Sequence, residues 1–259
     1  MALIETHVAE GIGILTLNYS IKRNTLSEAM IGEMSRALTN LQKDGIRVLI
    51  LRAYPGAKVW SAGHNVQELP LGGHDPLGWK DPLRQIIREI ECFPTPVIAL
   101  IEGSVWGGAC ELVFACDLIV ATADATFAAT PAKLGVPYNA SGLLTFMNAA
   151  TPQIAKEMLF TGRPIAAARL ERQGIVNHVL PKEEIESFVH ALARDICHNS
   201  PLSIAVMKEQ MRILSGAHTL SPADFERMQG LRRVVYNSND YQEGIRAFKE
   251  KRKPLFRGE

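Results

Sequence analysis

The pattern of apolar positions divides the chain into two regions of different character. Residues 4–8 and 12–17 are short apolar-rich runs flanking Glu10-Gly11, which predicts a β-hairpin. Met30, Met34, Ala37, Leu38 and Leu41 recur at helical spacing behind Ser27, a residue type that caps helix N-termini, and predict a first helix. Val48-Leu49-Ile50-Leu51 is an uninterrupted apolar run, as in a strand buried on both faces. Asp81-Pro82 opens a second helix, with proline at its first position. Its apolar stripe is Leu83, Ile86, Ile87, Ile90 and Phe93, and Pro94 and Pro96 stop it. Residues 97–101 and 118–121 read as two further buried strands, separated by Gly107-Gly108 and a helix from about residue 109. This alternation predicts an α/β core of crossover units.

After Pro181 the strand signals fade. Helical patterns cover residues 183–197, 202–214, 222–236 and 241–251, with Gly216 and Asn237-Ser238 as breaks. The expected organisation is a core over residues 1–180 and a helical region over residues 181–259.

Composition narrows the class. The 259 residues are 47% hydrophobic and 21% charged, with a formal net charge of +1, so the balance does not suggest nucleic acid or an acidic partner. Cys92, Cys110, Cys116 and Cys197 form no Cys-x-x-Cys pair and read as thiols of a reducing compartment. No apolar stretch approaches bilayer length, and the N-terminus lacks the basic-then-apolar pattern of a secretory leader. A cytoplasmic protein without a membrane partner is expected. No His-Glu-x-x-His or Cys/His cluster suggests a metal, and no Gly-x-Ser-x-Gly elbow or Walker loop is present.

The candidate chemistry lies in two glycine-containing loops, Ser61-Ala62-Gly63-His64-Asn65 and Gly107-Gly108-Ala109-Cys110-Glu111-Leu112. Each could aim one backbone N–H, of His64 and of Gly108, at a common point. Gly108 opens a helix, where unpaired N–H groups and the positive end of the dipole coincide. Two such donors stabilise a developing oxyanion. The same glycines suit two ordinary strand-to-helix turns, and spacing alone leaves both readings open.

Arg23-Asn24-Thr25-Leu26-Ser27, the Ser61 loop and the segment Gly103-Ser104-Val105-Trp106-Gly107-Gly108-Ala109-Cys110-Glu111-Leu112 occur in an order and spacing that resemble the crotonase (enoyl-CoA hydratase/isomerase) superfamily. The likeness covers essentially the whole chain. It implies a spiral of ββα turns, a C-terminal helical trimerisation region, and a homotrimer or dimer of trimers. It further implies an acyl-CoA thioester substrate whose enolate is held by the His64 and Gly108 amides. By the same resemblance Ala62, Gly63, His64, Asn65 and Val66 line the ligand, and Lys251 contacts substrate. Lys22, Arg23 and Lys253 are candidates for the coenzyme's phosphates, the C-terminal ones reaching a neighbouring subunit's ligand. A solvated helix face is the other reading of residues 249–253.

Hydratases of this family carry two catalytic glutamates. Glu111 matches the first, but in Thr130-Pro131-Ala132-Lys133-Leu134-Gly135 an alanine, Ala132, stands where the second is expected. A missing acid/base group argues against hydration. Val136-Pro137-Tyr138-Asn139, Gln242-Glu243-Gly244 and Lys251-Arg252-Lys253-Pro254 resemble instead a biotin-independent branch that decarboxylates methylmalonyl-CoA to propionyl-CoA. That likeness implies that the Tyr138 or Thr130 hydroxyl turns the departing carboxylate out of the thioester plane. Glu111 is then not the essential base, and Arg84 is a candidate to neutralise it. No cofactor is expected beyond the coenzyme A of the substrate: no biotin and no metal. Tyr138 also reads as a half-buried tyrosine anchored by its hydroxyl. Thr130, preceding Pro131, is expected in extended backbone. An enoyl-CoA hydratase/isomerase and a non-catalytic acyl-CoA-binding scaffold stay open as alternatives.

Overall fold

A computed structural model describes residues 2–259. Strands β1 (Ile4–Ala9) and β2 (Ile12–Leu17) form the antiparallel hairpin, turning through Glu10 and Gly11. Helix α1 (Glu28–Lys43) starts where the Ser27 hydroxyl accepts the Met30 N–H, and its apolar stripe is buried. The chain then climbs in repeated turns. Strand β3 (Val48–Ala53), strand β4 (Val59–Ser61) and helix α2 (Pro82–Glu91) make one turn. Strand β5 (Val97–Ile101), strand β6 (Ser104–Trp106) and helix α3 (Gly108–Phe114) make the next. Strand β7 (Leu118–Thr122), strand β8 (Thr126–Ala128) and helix α4 (Ala140–Ala149) make a third. Helix α5 (Pro152–Thr161), strand β9 (Ile165–Ala166), helix α6 (Ala167–Arg172) and strand β10 (His178–Leu180) complete the spiral.

Each turn gives one strand to a large sheet, ordered β1-β2-β3-β5-β7-β10, and one short strand to a small sheet, ordered β4-β6-β8-β9. The large sheet is parallel beyond the hairpin. Its inner strands β3, β5 and β7 are almost wholly apolar because both faces are covered. Leu15, Leu49, Leu51, Ala99 and Ile101 pack in one core with α1, α2 and α3. Ile12, Val48, Ile50, Ile98, Leu100 and Val120 face Ile185, Val189 and Ala193 of helix α7 (Lys182–His198). Helix α7 therefore packs on the sheet although it follows Pro181.

Helices α8 (Pro201–Ser215), α9 (Pro222–Tyr236) and α10 (Asn239–Lys249) follow. Helix α8 buries no residue and exposes Leu202, Val206, Met211 and Leu214, with Leu231 and Val234 exposed on α9. No helix among the described residues is long and apolar enough to cross a membrane.

Candidate active site

The first loop is held by a buried asparagine. Asn24 accepts the Tyr19 N–H at 2.8 Å and donates to the Trp60 carbonyl at 2.9 Å, and Ser61 Oγ donates to the Asn24 carbonyl at 2.7 Å. Arg23 and Asn24 both adopt left-handed backbone, and the Arg23 carbonyl takes the Ala62 N–H. Leu26 then forms an isolated parallel bridge with His64: its N–H donates to the Gly63 carbonyl and its carbonyl accepts the Asn65 N–H. In a parallel bridge the residue between those two bonds directs its own N–H to the opposite side. The His64 N–H has no protein acceptor among the described residues.

The second loop presses against the first. Gly107 sits at φ 55° and ψ −128°, a conformation that glycine alone adopts readily, and donates to the Ala128 carbonyl at 2.8 Å. Gly108 follows as the first residue of α3, so its N–H has no intrahelical partner, and no other acceptor occurs among the described residues. A Cβ on Gly63, at φ 82°, would overlap the Trp106 carbonyl oxygen and lie 3.0 Å from the Gly108 nitrogen. The absent side chain lets the two loops touch.

His64 and Gly108 both line a cavity of about 490 Å³, a size suited to a small-molecule ligand. Ala62, Asn65, Val66, Thr130, Tyr138 and Lys22 line it as well. Gly63 is not on the wall; it serves the loop contact. Sequence reasoning missed Leu77, Leu83 and Phe248, which complete the apolar wall from a loop, from α2 and from α10. No local signal marks them, because distant packing brings them there.

Thr130 has φ −111° and ψ 17°, not the extended backbone expected before proline. Its carbonyl accepts the Lys133 N–H at 3.1 Å and starts a short 3-10 turn over Pro131–Leu134, which outweighs the local bias. Ala132 is exposed and absent from the wall, whereas Thr130, Pro131 and Leu134 of the same segment line it. Among the described residues the only acidic side chain on the wall is Glu68.

Glu111 is fully buried behind the wall and pairs with Arg84. Its second carboxyl oxygen has no hydrogen-bond partner among the described residues. Burial pushes its carboxyl up to about 7, against the pull of Arg84 and the neighbouring Tyr138 hydroxyl. Tyr138 packs edge-on against Phe146, with ring centroids 5.6 Å apart. Burial, then the Glu111 charge, holds its phenol well above the ordinary tyrosine range, so it stays a hydrogen-bond donor. Asn139 ties this segment down, capping α4 through the Gly142 N–H at 2.7 Å and donating to the Leu77 carbonyl at 2.7 Å.

The His64 ring is anchored at both nitrogens. Nε2 lies 3.0 Å from Asp81 Oδ2 and Nδ1 lies 3.2 Å from the Asn65 carbonyl oxygen. Neither nitrogen is free to serve as an acid or base toward a ligand. Arg23, Lys251 and Lys253 lie outside the wall. After α10, Arg252 pairs with Glu243, at 2.8 Å between Nη2 and Oε2. No group of three or more His, Cys, Asp and Glu side chains is arranged to hold a metal among the described residues.

A spiral of ββα turns with two amide donors over a cavity is the crotonase fold. The family model for enoyl-CoA hydratase/isomerase matches residues 7–259, and the chain belongs to this family. The chain is 50% identical over 247 residues to methylmalonyl-CoA decarboxylase of Escherichia coli (strain K12), covering 95% of each chain. It is 33% identical over 245 residues to carnitinyl-CoA dehydratase of Salmonella typhi, covering 92% of each. A solved structure of methylmalonyl-CoA decarboxylase in complex with 2-nitronate-propionyl-CoA superposes with a TM-score of 0.98 at 48% identity, covering 100% of this chain and 99% of that one.

Proposed function

We propose that this protein decarboxylates methylmalonyl-CoA to propionyl-CoA. The observation that carries this reading is the pair of unpaired N–H groups, of His64 and Gly108, on touching loops over a cavity whose only acidic wall residue among those described is Glu68. Hydration of an enoyl thioester needs acid/base groups at the alkene and its water. Decarboxylation needs a stabilised oxyanion on the thioester, which acts as electron sink, and a carboxylate held out of the thioester plane; the two amides suit the first task and the Tyr138 phenol the second.

The carboxylate's carbon–carbon bond breaks, CO₂ leaves, and the bonding pair passes into the thioester. The resulting enolate oxygen takes hydrogen bonds from the His64 and Gly108 amides, and the α-carbon then gains a proton to give propionyl-CoA. The Tyr138 phenol, with Thr130 beside it on the wall, donates to the substrate carboxylate and sets its rotamer. Leu77, Leu83 and Phe248 make the surroundings apolar, which favours loss of charge as CO₂. Glu111, paired with Arg84 behind the wall, is not the base or acid of the reaction. The thioester is the electron sink, so the reaction calls for neither biotin nor metal.

Lys22 on the wall suits a phosphate of the coenzyme. Lys251 and Lys253 reach a ligand only from a neighbouring subunit. We assign residues 1–180 to the spiral and residues 181–259 to oligomerisation, with α7 also covering the sheet. The exposed apolar side chains of α8 and α9 support self-association, and the trimer or dimer of trimers is what the family resemblance implies. The cytoplasm is the proposed location.

The test is to incubate the pure protein with methylmalonyl-CoA and, separately, with crotonyl-CoA and to resolve the CoA products by chromatography. Propionyl-CoA alone is expected. Hydroxybutyryl-CoA would establish a hydratase, and the absence of any product a binding scaffold.

A further inference from the structure

One helical turn touches both donor loops. Asp81 caps α2, its Oδ1 accepting the Arg84 N–H at 3.3 Å, while its Oδ2 reaches His64 Nε2 at 3.0 Å. Leu83, two residues on, fills the space beside Gly108; a Cβ on Gly108 would overlap its side chain. Arg84 pairs with Glu111, one turn beyond Gly108 on α3. Residues 81–84 thus hold the first loop through the His64 ring and the second through Leu83 and Arg84.

We propose that Asp81 is a positioning residue: by gripping the His64 ring from the same turn that backs Gly108, it fixes the spacing of the two amide donors. Asp81 and His64 are nearly buried, with side chains 11% and 13% exposed, so water competes little for their contact. Both ring nitrogens face oxygen acceptors, and only an imidazolium donates to both. The charged groups acting on the ring are Asp81 on α2 and Glu68 on the short turn after the loop. Burial lowers the ring's pKa, but the Asp81 hydrogen bond and charge, the Asn65 carbonyl and Glu68 outweigh it and leave it raised above 6.5. When the ring loses its proton, one acceptor faces a bare lone pair, the grip loosens, and the donors lose their spacing. Activity then falls on the alkaline side.

The test is Asp81→Asn, which keeps the size and the helix cap but removes the charge, with Asp81→Ser as a second cap too short to reach the ring. In both, kcat for propionyl-CoA release is expected to fall at least tenfold with KM within threefold of wild type. In Asp81→Asn the alkaline limb of the kcat profile moves to lower pH by at least half a unit. His64 ring titration, followed by NMR in wild type and Asp81→Asn, reads the contact without turnover and is expected to shift the same way. This inference rests on the decarboxylase reading, and the two fail separately. A wild type that releases no propionyl-CoA overturns that reading, while the NMR titration still judges the grip. A folded Asp81→Asn with wild-type kcat, pH profile and His64 titration overturns the positioning role. So does an activity loss that merely tracks lost folded protein with the His64 titration unchanged.

Discussion

Gly63→Ala adds one methyl group where the two donor loops touch. The residue sits at φ 82°, where a Cβ costs about 1–2 kcal/mol. That Cβ would overlap the Trp106 carbonyl oxygen, 3.2 Å from the Trp106 carbonyl carbon and 3.0 Å from the Gly108 nitrogen, whereas ordinary contacts begin near 3.4 Å. All three neighbours are backbone atoms, so no rotamer change relieves the overlap, and the loops must part by roughly 1 Å. A misplacement of that size costs about 10²-fold in rate, and loss of one oxyanion donor about 10²–10³-fold, or roughly 3–4 kcal/mol. We expect kcat for propionyl-CoA release to fall at least a hundredfold, with a smaller change in KM because the apolar wall remains. Gly11→Ala is the control. At φ 78° in the hairpin turn it carries the same backbone penalty away from the cavity, and should lose stability while keeping kcat. Chromatographic detection of propionyl-CoA, with circular dichroism and a thermal melt on each variant, makes the comparison. A folded Gly63→Ala protein turning over within threefold of wild type would refute the reasoning.

Tyr138→Phe keeps the ring against Phe146 and removes the hydroxyl; we expect kcat to drop about 10²-fold with binding of propionyl-CoA unchanged, and unaltered turnover would remove its role in holding the carboxylate. Glu111→Gln leaves Arg84 buried against a neutral partner and should cost on the order of 1–3 kcal/mol in a denaturant titration while kcat stays within tenfold; abolished decarboxylation with the fold intact would make Glu111 essential. The same variant tests a pH effect. Between 4.5 and about 7 folded Glu111 holds a proton that the unfolded chain has released, so wild-type stability declines as pH rises through that window, and the slope should flatten in Glu111→Gln. Leu214→Glu places a charge on the exposed apolar face of α8 and should yield monomers in sedimentation velocity where the wild type sediments as a trimer or larger; equal sedimentation would show that α8 is not the interface.

Elements whose signals are local were legible in the sequence. Ser27 and Asp81 mark helix starts because a side-chain oxygen caps an N–H three residues on, and both bonds form. The runs at residues 48–51 and 97–101 are apolar at every position because helices cover both faces of the sheet. The small sheet was not legible: β4, β6, β8 and β9 have two or three residues each, too few for a period, and exist only through pairing with distant strands. At the site, the glycines pointed to the two loops, yet Asp81 shows its helix-capping role in sequence and hides its contact with His64, which lies 17 residues away. Ala132 and Thr130 differ for a similar reason. The 3-10 turn after Thr130 rotates Ala132 to solvent, and counting residues from a motif does not reveal that rotation.

A crystal structure of this protein with a nitronate mimic of the thioester enolate bears most directly on how the reaction is driven. The His64 and Gly108 nitrogens should each lie about 2.7–3.1 Å from the same ligand oxygen, with Tyr138 directed at the group that replaces the carboxylate. An enolate oxygen bound elsewhere, or two nitrogens too far apart to share it, would contradict the mechanism.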